Sequence, residues 1–198
     1  MKKIIPVLLI AGLMSCGSHE TKTENSDSLK NAALDSVLLN SAAREPSLTI
    51  EETGIKSQIL MVMDDSAKTT EEIGQKLETI FGKIGACASK CKMEGSGPPI
   101  AWYSGPKAPW TLTAGMPFTT KCAHPEKGIS IKEIKAGKAI VVHYFGPYEM
   151  SEMAYIEAEK YMKSKNLMPS GPAYEVYIGD QMLEKDPYKV QTDIVFPL

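Results

Sequence analysis

The chain lacks the features that mark several large classes of protein. Its 198 residues include 22 basic and 24 acidic side chains, a net charge of −2, so it offers no basic field to attract nucleic acid. No run of residues reaches the roughly 18 apolar positions of a membrane-spanning helix. No Ser-His-Asp arrangement, phosphate-binding loop or nucleotide-binding fingerprint is present. We therefore predict no nucleic-acid partner and no cofactor.

Cysteine is scarce, and its spacing argues against a zinc centre. The four cysteines are Cys16, Cys87, Cys91 and Cys122. Cys87 and Cys91 would share a helix face, and Cys122 with His124 could add two further ligands, yet this is not a strong zinc spacing. Three arrangements of the last three cysteines stay open: one disulfide with a free thiol, separate thiols, or a metal site. We include no metal among the predicted sites.

The N-terminal segment has the layout of a bacterial export signal. Lys2 and Lys3 form a charged start, residues 4–13 are apolar, and Leu13-Met14-Ser15-Cys16 ends in cysteine. The pattern resembles a bacterial lipoprotein signal, apart from Met14, where a smaller residue is usual. The resemblance implies cleavage before Cys16 and attachment of a lipid that holds the protein on a membrane; a plain secretory signal is the alternative. Either way we predict that the mature domain leaves the cytoplasm, and the lipoprotein signal predicts that it stays anchored in the cell envelope.

Composition divides the rest of the chain into a tether and a domain. Residues 17–46 are rich in Ser, Thr, Asn, Glu and Lys, which is typical of a solvated linker. Pro46 marks the start of the domain. The predicted divisions are a signal peptide over 1–15, the lipidated cysteine and a flexible tether over 16–46, and a globular domain over 47–198.

Hydrophobic periodicity within the domain predicts two helices among several strands. Thr70, followed by Glu71 and Glu72, favours a helix start. Apolar residues at helical spacing follow it, and a second such stripe begins at Met150 and closes near Asn166. Extended segments are predicted over 47–63 (one long or bent strand), 100–103, 111–118, 129–134, 138–145, 174–177 and 190–196.

The domain contains an internal repeat with a period of about eighty residues. Gly97–Gly105 and Gly171–Gly179 share their glycines, a proline and a tyrosine. The order strand, helix, strand, strand recurs in both halves. Two such units predict a pseudo-twofold α+β domain, in which an antiparallel sheet has both helices on one face and a central cleft.

The strand Tyr174–Tyr177 is the most informative stretch of the second repeat. Its period of two puts Glu175 and Tyr177 on one face and Tyr174 and Val176 on the other. We expect the apolar set to lie under the helices; its members are Ile100, Trp102, Tyr174 and Val176. We expect the other set to face away, toward the groove between the halves; its members are Ala101, Tyr103, Glu175 and Tyr177.

Four segments of the second half stand in a characteristic order: Gly137–Glu149 (GKAIVVHYFGPYE), Tyr174–Tyr177 (YEVY), Asp186-Pro187, and Thr192–Leu198 (TDIVFPL). Together they resemble the gyrase-inhibitor-like (GyrI-like) domain, which is also the effector-binding domain of AraC- and MerR-type transcription regulators. The agreement is good over 129–198 and only patterned over 47–118. No helix-turn-helix region precedes the domain, so we do not expect transcriptional control.

The resemblance implies a doubled fold with a central cleft for small molecules, often hydrophobic and cationic. The family's pocket carboxylate falls on Glu175. One branch of the family hydrolyses small reactive ligands with this glutamate and neighbouring tyrosines. As candidate ligand contacts we therefore name one carboxylate and four aromatic residues: Glu175, Tyr177, Tyr103, Tyr144 and Trp110.

Three functions follow as hypotheses. The first is binding of a small apolar or cationic molecule by an envelope-anchored domain, with Glu175 attracting the cation. The second is hydrolysis of a small activated ligand, with Glu175 as the catalytic base. The third is a protein-interaction module whose cleft is closed by its own side chains, with a partner that the sequence does not name.

Overall fold

The computed structural model describes residues 44–105, 107–179 and 183–198. The predicted signal peptide, Cys16 and nearly all of the tether lie outside these residues. The two helices are α1 (Thr70–Lys90) and α2 (Glu152–Ser164). The eight strands are β1 (Ser47–Ile55), β2 (Gln58–Ala67), β3 (Ile100–Tyr103), β4 (Trp110–Phe118), β5 (Ser130–Ile134), β6 (Gly137–Phe145), β7 (Tyr174–Tyr177) and β8 (Gln191–Pro197).

The eight strands form one antiparallel sheet in the order β1-β6-β8-β7-β3-β4-β2-β5. Exchanging the halves of the chain, so that β1 replaces β5, β2 replaces β6 and so on, gives the same order read backwards. The predicted pseudo-twofold is therefore present, and its axis passes between β3 and β7. At that axis Ala101 pairs directly with Glu175, so the repeat mates face each other.

The first predicted strand is in fact two strands, and this part of the prediction was wrong. Residues 47–63 were expected to form one extended segment, but β1 ends at Ile55 and β2 begins at Gln58. β1 then pairs with β6, and β2 with β4 and β5. Only Lys56 and Ser57 separate β1 from β2, so the break has too weak a turn signal to be seen in the sequence. Each half is therefore strand, strand, helix, strand, strand.

Local sequence explains why the first helix begins where it does. Thr69 is the N-cap of α1, and its side chain accepts a hydrogen bond from the backbone N–H of Glu72 at 3.3 Å. Glu71 and Glu72 lie in the first turn, where the helix dipole favours acids. The buried face then packs on β2 and β4, and its apolar members are Ile73, Ile80 and Ile84.

Both helices cover the same face of the sheet, as predicted, but it is the face that carries Glu175. Ala101 lies in the cluster packed under α1, together with Tyr103 and Tyr177. Trp102 and Tyr174 lie on the opposite face. The prediction that the apolar set lies under the helices was therefore wrong.

The reason for the reversal is that the sheet buries both of its faces. On the face without helices, one buried cluster joins β2, β3 and β5 of the sheet to β6, β7 and β8. Two-residue connections also join strands that stand far apart in the sheet order, which requires the sheet to curl. Apolar content alone then cannot tell which face meets the helices. None of the described helices combines the length and apolarity needed to cross a bilayer.

Candidate functional site

A single carboxylate lies inside the domain, on the central strand β7. Glu175 pairs with Ala101 of β3 on one side and with Ile194 of β8 on the other. Its side chain projects toward the helices, and only 3% of the residue is exposed. A buried carboxylate requires hydrogen-bond donors or a cation, so its neighbours decide what the site can do.

Three tyrosine hydroxyls donate hydrogen bonds to this carboxylate. Tyr148 Oη lies 2.6 Å from Glu175 Oε2. Tyr155 Oη lies 2.7 Å from the other oxygen, Oε1. Tyr177 Oη adds a longer bond of 3.1 Å to Oε2. Both oxygens of Glu175 thus accept hydrogen bonds from phenols, which come from three different elements of the second half.

A fourth tyrosine completes the arrangement from the first half. Tyr103 Oη is 2.6 Å from Tyr177 Oη and 2.9 Å from Tyr148 Oη. We call these four side chains, Tyr103, Tyr148, Tyr155 and Tyr177, the phenol network. Tyr103 stands two residues beyond Ala101, as Tyr177 stands two residues beyond Glu175, so the pair is related by the pseudo-twofold.

A tight turn positions Tyr148. It opens a 3-10 helix, Tyr148–Met150, between β6 and α2. A Cβ on Gly146 would lie 2.6 Å from Pro46 Cβ and 2.6 Å from the hydroxyl oxygen of Tyr144, so only glycine fits there. Tyr144 Oη also donates a hydrogen bond of 2.7 Å to the carbonyl of Pro147. The Gly-Pro-Tyr sequence therefore holds the turn that aims Tyr148 at Glu175.

Burial controls the electrostatics of the site. It raises the pKa of Glu175, while the hydrogen bonds from Tyr148, Tyr155 and Tyr177 oppose that rise. The pKa of every phenol in the network is raised, first by burial and then by the neighbouring Glu175 charge. The phenols therefore stay protonated and donate. Among the described residues no lysine, arginine or histidine pairs with Glu175.

Aromatic rings surround the polar groups. The Phe81 ring of α1 meets Tyr177 edge-on, with centroids 6.5 Å apart. Tyr148 is tilted against Tyr177 at 6.4 Å, and Tyr155 meets Phe196 edge-on at 5.9 Å. A carboxylate inside such a shell suits a ligand that is both apolar and positively charged.

The structure brings together three of the five predicted ligand contacts: Glu175, Tyr103 and Tyr177. Tyr144 is buried against α2, where it supports the turn before Tyr148, and Trp110 packs at the edge of the α1 cluster. Neither Tyr144 nor Trp110 forms a hydrogen bond with the phenol network. Their contact with a ligand stays a prediction.

Sequence reasoning did not identify Tyr148 and Tyr155 as members of the site. Tyr148 stands inside the Gly-Pro-Tyr-Glu segment, so it had a visible signal. Tyr155 lies on α2 beside the buried stripe of Ala154, Ala158 and Met162. Helical spacing alone gives it no distinction from any other residue at the border of a buried face.

The described cysteines adopt one of the three arrangements considered from sequence. Cys91 and Cys122 form a disulfide, and Cys87 is a buried free thiol. The three sulfur atoms all lie within 4.8 Å of one another. They stand at the C-terminal end of α1, in the apolar cluster against which Tyr103 and Tyr177 also pack.

A shallow depression of about 370 Å³ lies on the opposite face of the sheet. Trp102 and Tyr174 line it, and Lys132 Nζ lies over the Trp102 ring at 3.8 Å from its centroid. The lining residues do not include Glu175 or any member of the phenol network. The depression and the carboxylate are thus separate features of the same central strands.

Solved structures with the same fold include two of EcmrR and one of a hydrolase. The C-terminal domain of EcmrR matches with a TM-score of 0.67 and 16% identity, over 76% of this chain and 96% of that one. EcmrR in its DNA complex matches with a TM-score of 0.64 and 16% identity, over 86% and 67%. A hydrolase from Listeria innocua matches with a TM-score of 0.57 and 11% identity, over 81% and 96%.

At such identities these likenesses show the fold alone. None of the curated proteins compared with the chain matches it. A family model does match, over residues 49–198, and its description is a GyrI-like small-molecule-binding domain. The match covers the whole sheet apart from the first two residues of β1, as well as both helices and the phenol network. Over these residues the chain belongs to the GyrI-like family of small-molecule-binding domains.

Proposed function

We propose that the domain binds a small organic cation with an aromatic part, and that Glu175 is the anion that selects it. One observation carries the proposal: Glu175 is a buried carboxylate held only by neutral phenols. Among the described residues no cation balances it. A positively charged ligand would supply the missing countercharge.

The energetics favour a cation over a neutral molecule of the same shape. Coulomb attraction is stronger where water is thinned out. Aromatic faces add about 0.5–2 kcal/mol for each cation–π contact. The rings of Tyr148, Tyr155 and Tyr177 lie beside the carboxylate, so one ligand can use both kinds of contact.

Binding requires the phenol network to open. With Glu175 only 3% exposed, a ligand reaches the carboxylate when at least one hydroxyl gives up its hydrogen bond. The four tyrosines are themselves partly exposed, so their rings form the surface that the ligand meets first. The network is then the closed state of a site that opens on binding.

Calorimetric titration with benzyltrimethylammonium tests the charge requirement. Its neutral isostere, neopentylbenzene, has carbon in place of nitrogen and the same shape. We expect the cation to bind and the isostere to bind at least about tenfold more weakly, which corresponds to the loss of about 1.4 kcal/mol. Equal affinity for the two probes would contradict the proposal.

Two variants on β7 test whether the preference for the cation comes from Glu175. Glu175→Gln keeps the size of the side chain and removes its charge, and we expect the cation to lose its advantage. Tyr174→Phe alters the opposite face of β7 and should leave binding unchanged. Because burial raises the Glu175 pKa, cation affinity should rise with pH as the carboxyl loses its proton, and this dependence should vanish in Glu175→Gln.

Hydrolysis is a second candidate function, favoured by the same carboxylate. A glutamate with a raised pKa beside protonated phenols provides both a base and hydrogen-bond donors. Turnover of an activated ester that persists in Tyr174→Phe and disappears in Glu175→Gln would support it. If no small molecule binds and none is turned over, the closed network favours the protein-interaction alternative.

We further infer that the domain is lipid-anchored in the bacterial envelope. The support is the sequence of residues 1–16, with its charged start, apolar stretch and Cys16. Metabolic labelling with an alkyne fatty acid tests this. We expect label on the wild-type chain and none on Cys16→Ser. Label that survives Cys16→Ser would rule out this attachment point.

A further inference from the structure

We propose that Cys87, Cys91 and Cys122, when reduced, form a binding site for one soft monovalent metal ion of the copper(I) class. The site lies at the C-terminal end of α1. In the disulfide form, Cys91 and Cys122 are bonded to each other and cannot bind the ion. Cys87 is the third ligand and is already a free thiol. The proposal is independent of Glu175 and the phenol network.

Geometry is the first argument. The three sulfur atoms already lie within 4.8 Å of one another. A metal held by three thiolates at about 2.3 Å requires sulfur atoms about 4 Å apart. Cys87 and Cys91 stand one helical turn apart, so they share a face of α1. Small side-chain rotations are enough to close the site around an ion.

The surroundings favour a soft cation. Only 1% of Cys87 and 6% of Cys122 is exposed, in a cluster of apolar side chains that includes Ile84 and Phe118. Hard, strongly hydrated cations prefer oxygen ligands and water, whereas thiolates select copper(I).

Zinc fits this set of ligands less well. Structural zinc takes four protein ligands. His124, the fourth candidate in the sequence, does not belong to the group of adjacent ligand atoms. Within the part of the chain that the structure describes, no fourth ligand joins the three sulfur atoms, and copper(I) accepts such a low coordination number.

Reduction should leave the three cysteines together. Lys90 Nζ lies 2.6 Å from Glu126 Oε1, which joins the end of α1 to the loop that carries Cys122. A backbone hydrogen bond from Thr119 N to Glu94 O, 3.1 Å long, holds the start of the same loop. These contacts do not involve sulfur, so they remain when the disulfide opens.

The site forms in two steps, reduction of the disulfide and then binding of the ion. A dithiol or phosphine reductant gives two electrons to the Cys91–Cys122 disulfide, which becomes two thiols while the reductant is oxidised. As the ion then binds, the thiols release their protons to solvent and sulfur–metal bonds form. Cys87 takes part only in the second step.

Anaerobic copper(I) titration against a chromophoric chelator tests the proposal. The full-length chain carrying Cys16→Ser serves as the parent, because it then has no thiols besides these three. We expect the reduced parent to bind one copper(I) per chain. We expect the disulfide form to bind none. Cys87→Ala keeps the disulfide pair and an apolar side chain, and it should bind more than about 100-fold less tightly.

Three results would overturn the proposal. They are equal binding by the reduced and disulfide forms, unchanged affinity in Cys87→Ala, and a preference of the reduced parent for zinc over copper(I). X-ray absorption on the copper-loaded parent counts sulfur ligands without relying on any variant. Three sulfur neighbours support the site, and two contradict it.

Discussion

The two halves of the domain share one architecture but differ sharply in chemistry. At the axis between β3 and β7, Ala101 faces Glu175. The second half provides the carboxylate and its three direct donors, whereas the first half adds only Tyr103. The first half in turn holds the Cys91–Cys122 disulfide.

This difference shows how a symmetric scaffold can hold an asymmetric site. Two glutamates at the axis would stand directly opposite each other on one face of an antiparallel pair, where side chains are about 4.5–5.5 Å apart between Cβ atoms. Like charges at that distance are costly when buried. An alanine across from Glu175 avoids this and leaves room for the phenols.

The largest expected effect comes from making the halves alike. Ala101→Glu places a second carboxylate beside Glu175 in a fully buried position. We expect it to lower the free energy of unfolding in urea by about 3–5 kcal/mol, as for an uncompensated buried charge. Ala101→Gln has nearly the same size and should cost clearly less. Equal losses would mean that crowding, rather than charge, keeps the position small.

Removing one tyrosine hydroxyl at a time tests whether the hydrogen bonds from the second half contribute more to stability than those from the first. At pH 8, Tyr148→Phe and Tyr155→Phe should each lower the free energy of unfolding by about 1.5–3 kcal/mol, because each removes a hydrogen bond to a charged group. Tyr103→Phe, which touches only other phenols, should cost about 0.5–1.5 kcal/mol. A Tyr103 effect as large as that of Tyr148 would contradict the unequal division.

The smallest expected effect lies outside the phenol network, on β6 and β8. Burial alone would lower the pKa of His143, but the hydrogen bond and charge of Asp193, 2.8 Å away, raise it. A raised folded pKa stabilises the protein at low pH, and this contribution is lost as pH rises from about 6.5 through the folded value. Urea unfolding across this range should show a slight decline that His143→Gln abolishes. A decline that persists in His143→Gln must come from other groups.

The sequence predicted the doubled fold and the composition of one face, because both depend on local spacing. A period of two puts Glu175 and Tyr177 on one face of the strand whatever surrounds it. The direction of that face depends on the curl of the sheet, which buries Trp102 and Tyr174 on the side without helices. No periodicity within β7 contains that information.

Tyr148 and Tyr155 were not predicted as site residues for the same reason. Tyr148 and Tyr155 belong to a turn and a helix whose placement over β7 is fixed by packing between elements. Their hydroxyls converge on Glu175 only in the folded domain, at 2.6 and 2.7 Å. Sequence patterns describe each element separately, so they assign a tyrosine to a helix border but not to a partner on a distant strand.

The first strand of each half pairs with the second strand of the other half, so the two halves depend on each other to fold. β1 pairs with β6 of the second half, and β5 pairs with β2 of the first. A half expressed alone would therefore have its first strand without a partner and its second strand as an open edge, which invites pairing with another chain. The repeat is thus two interlocked pieces that become stable together, and two copies of an isolated half would be expected to rebuild the same sheet as a dimer.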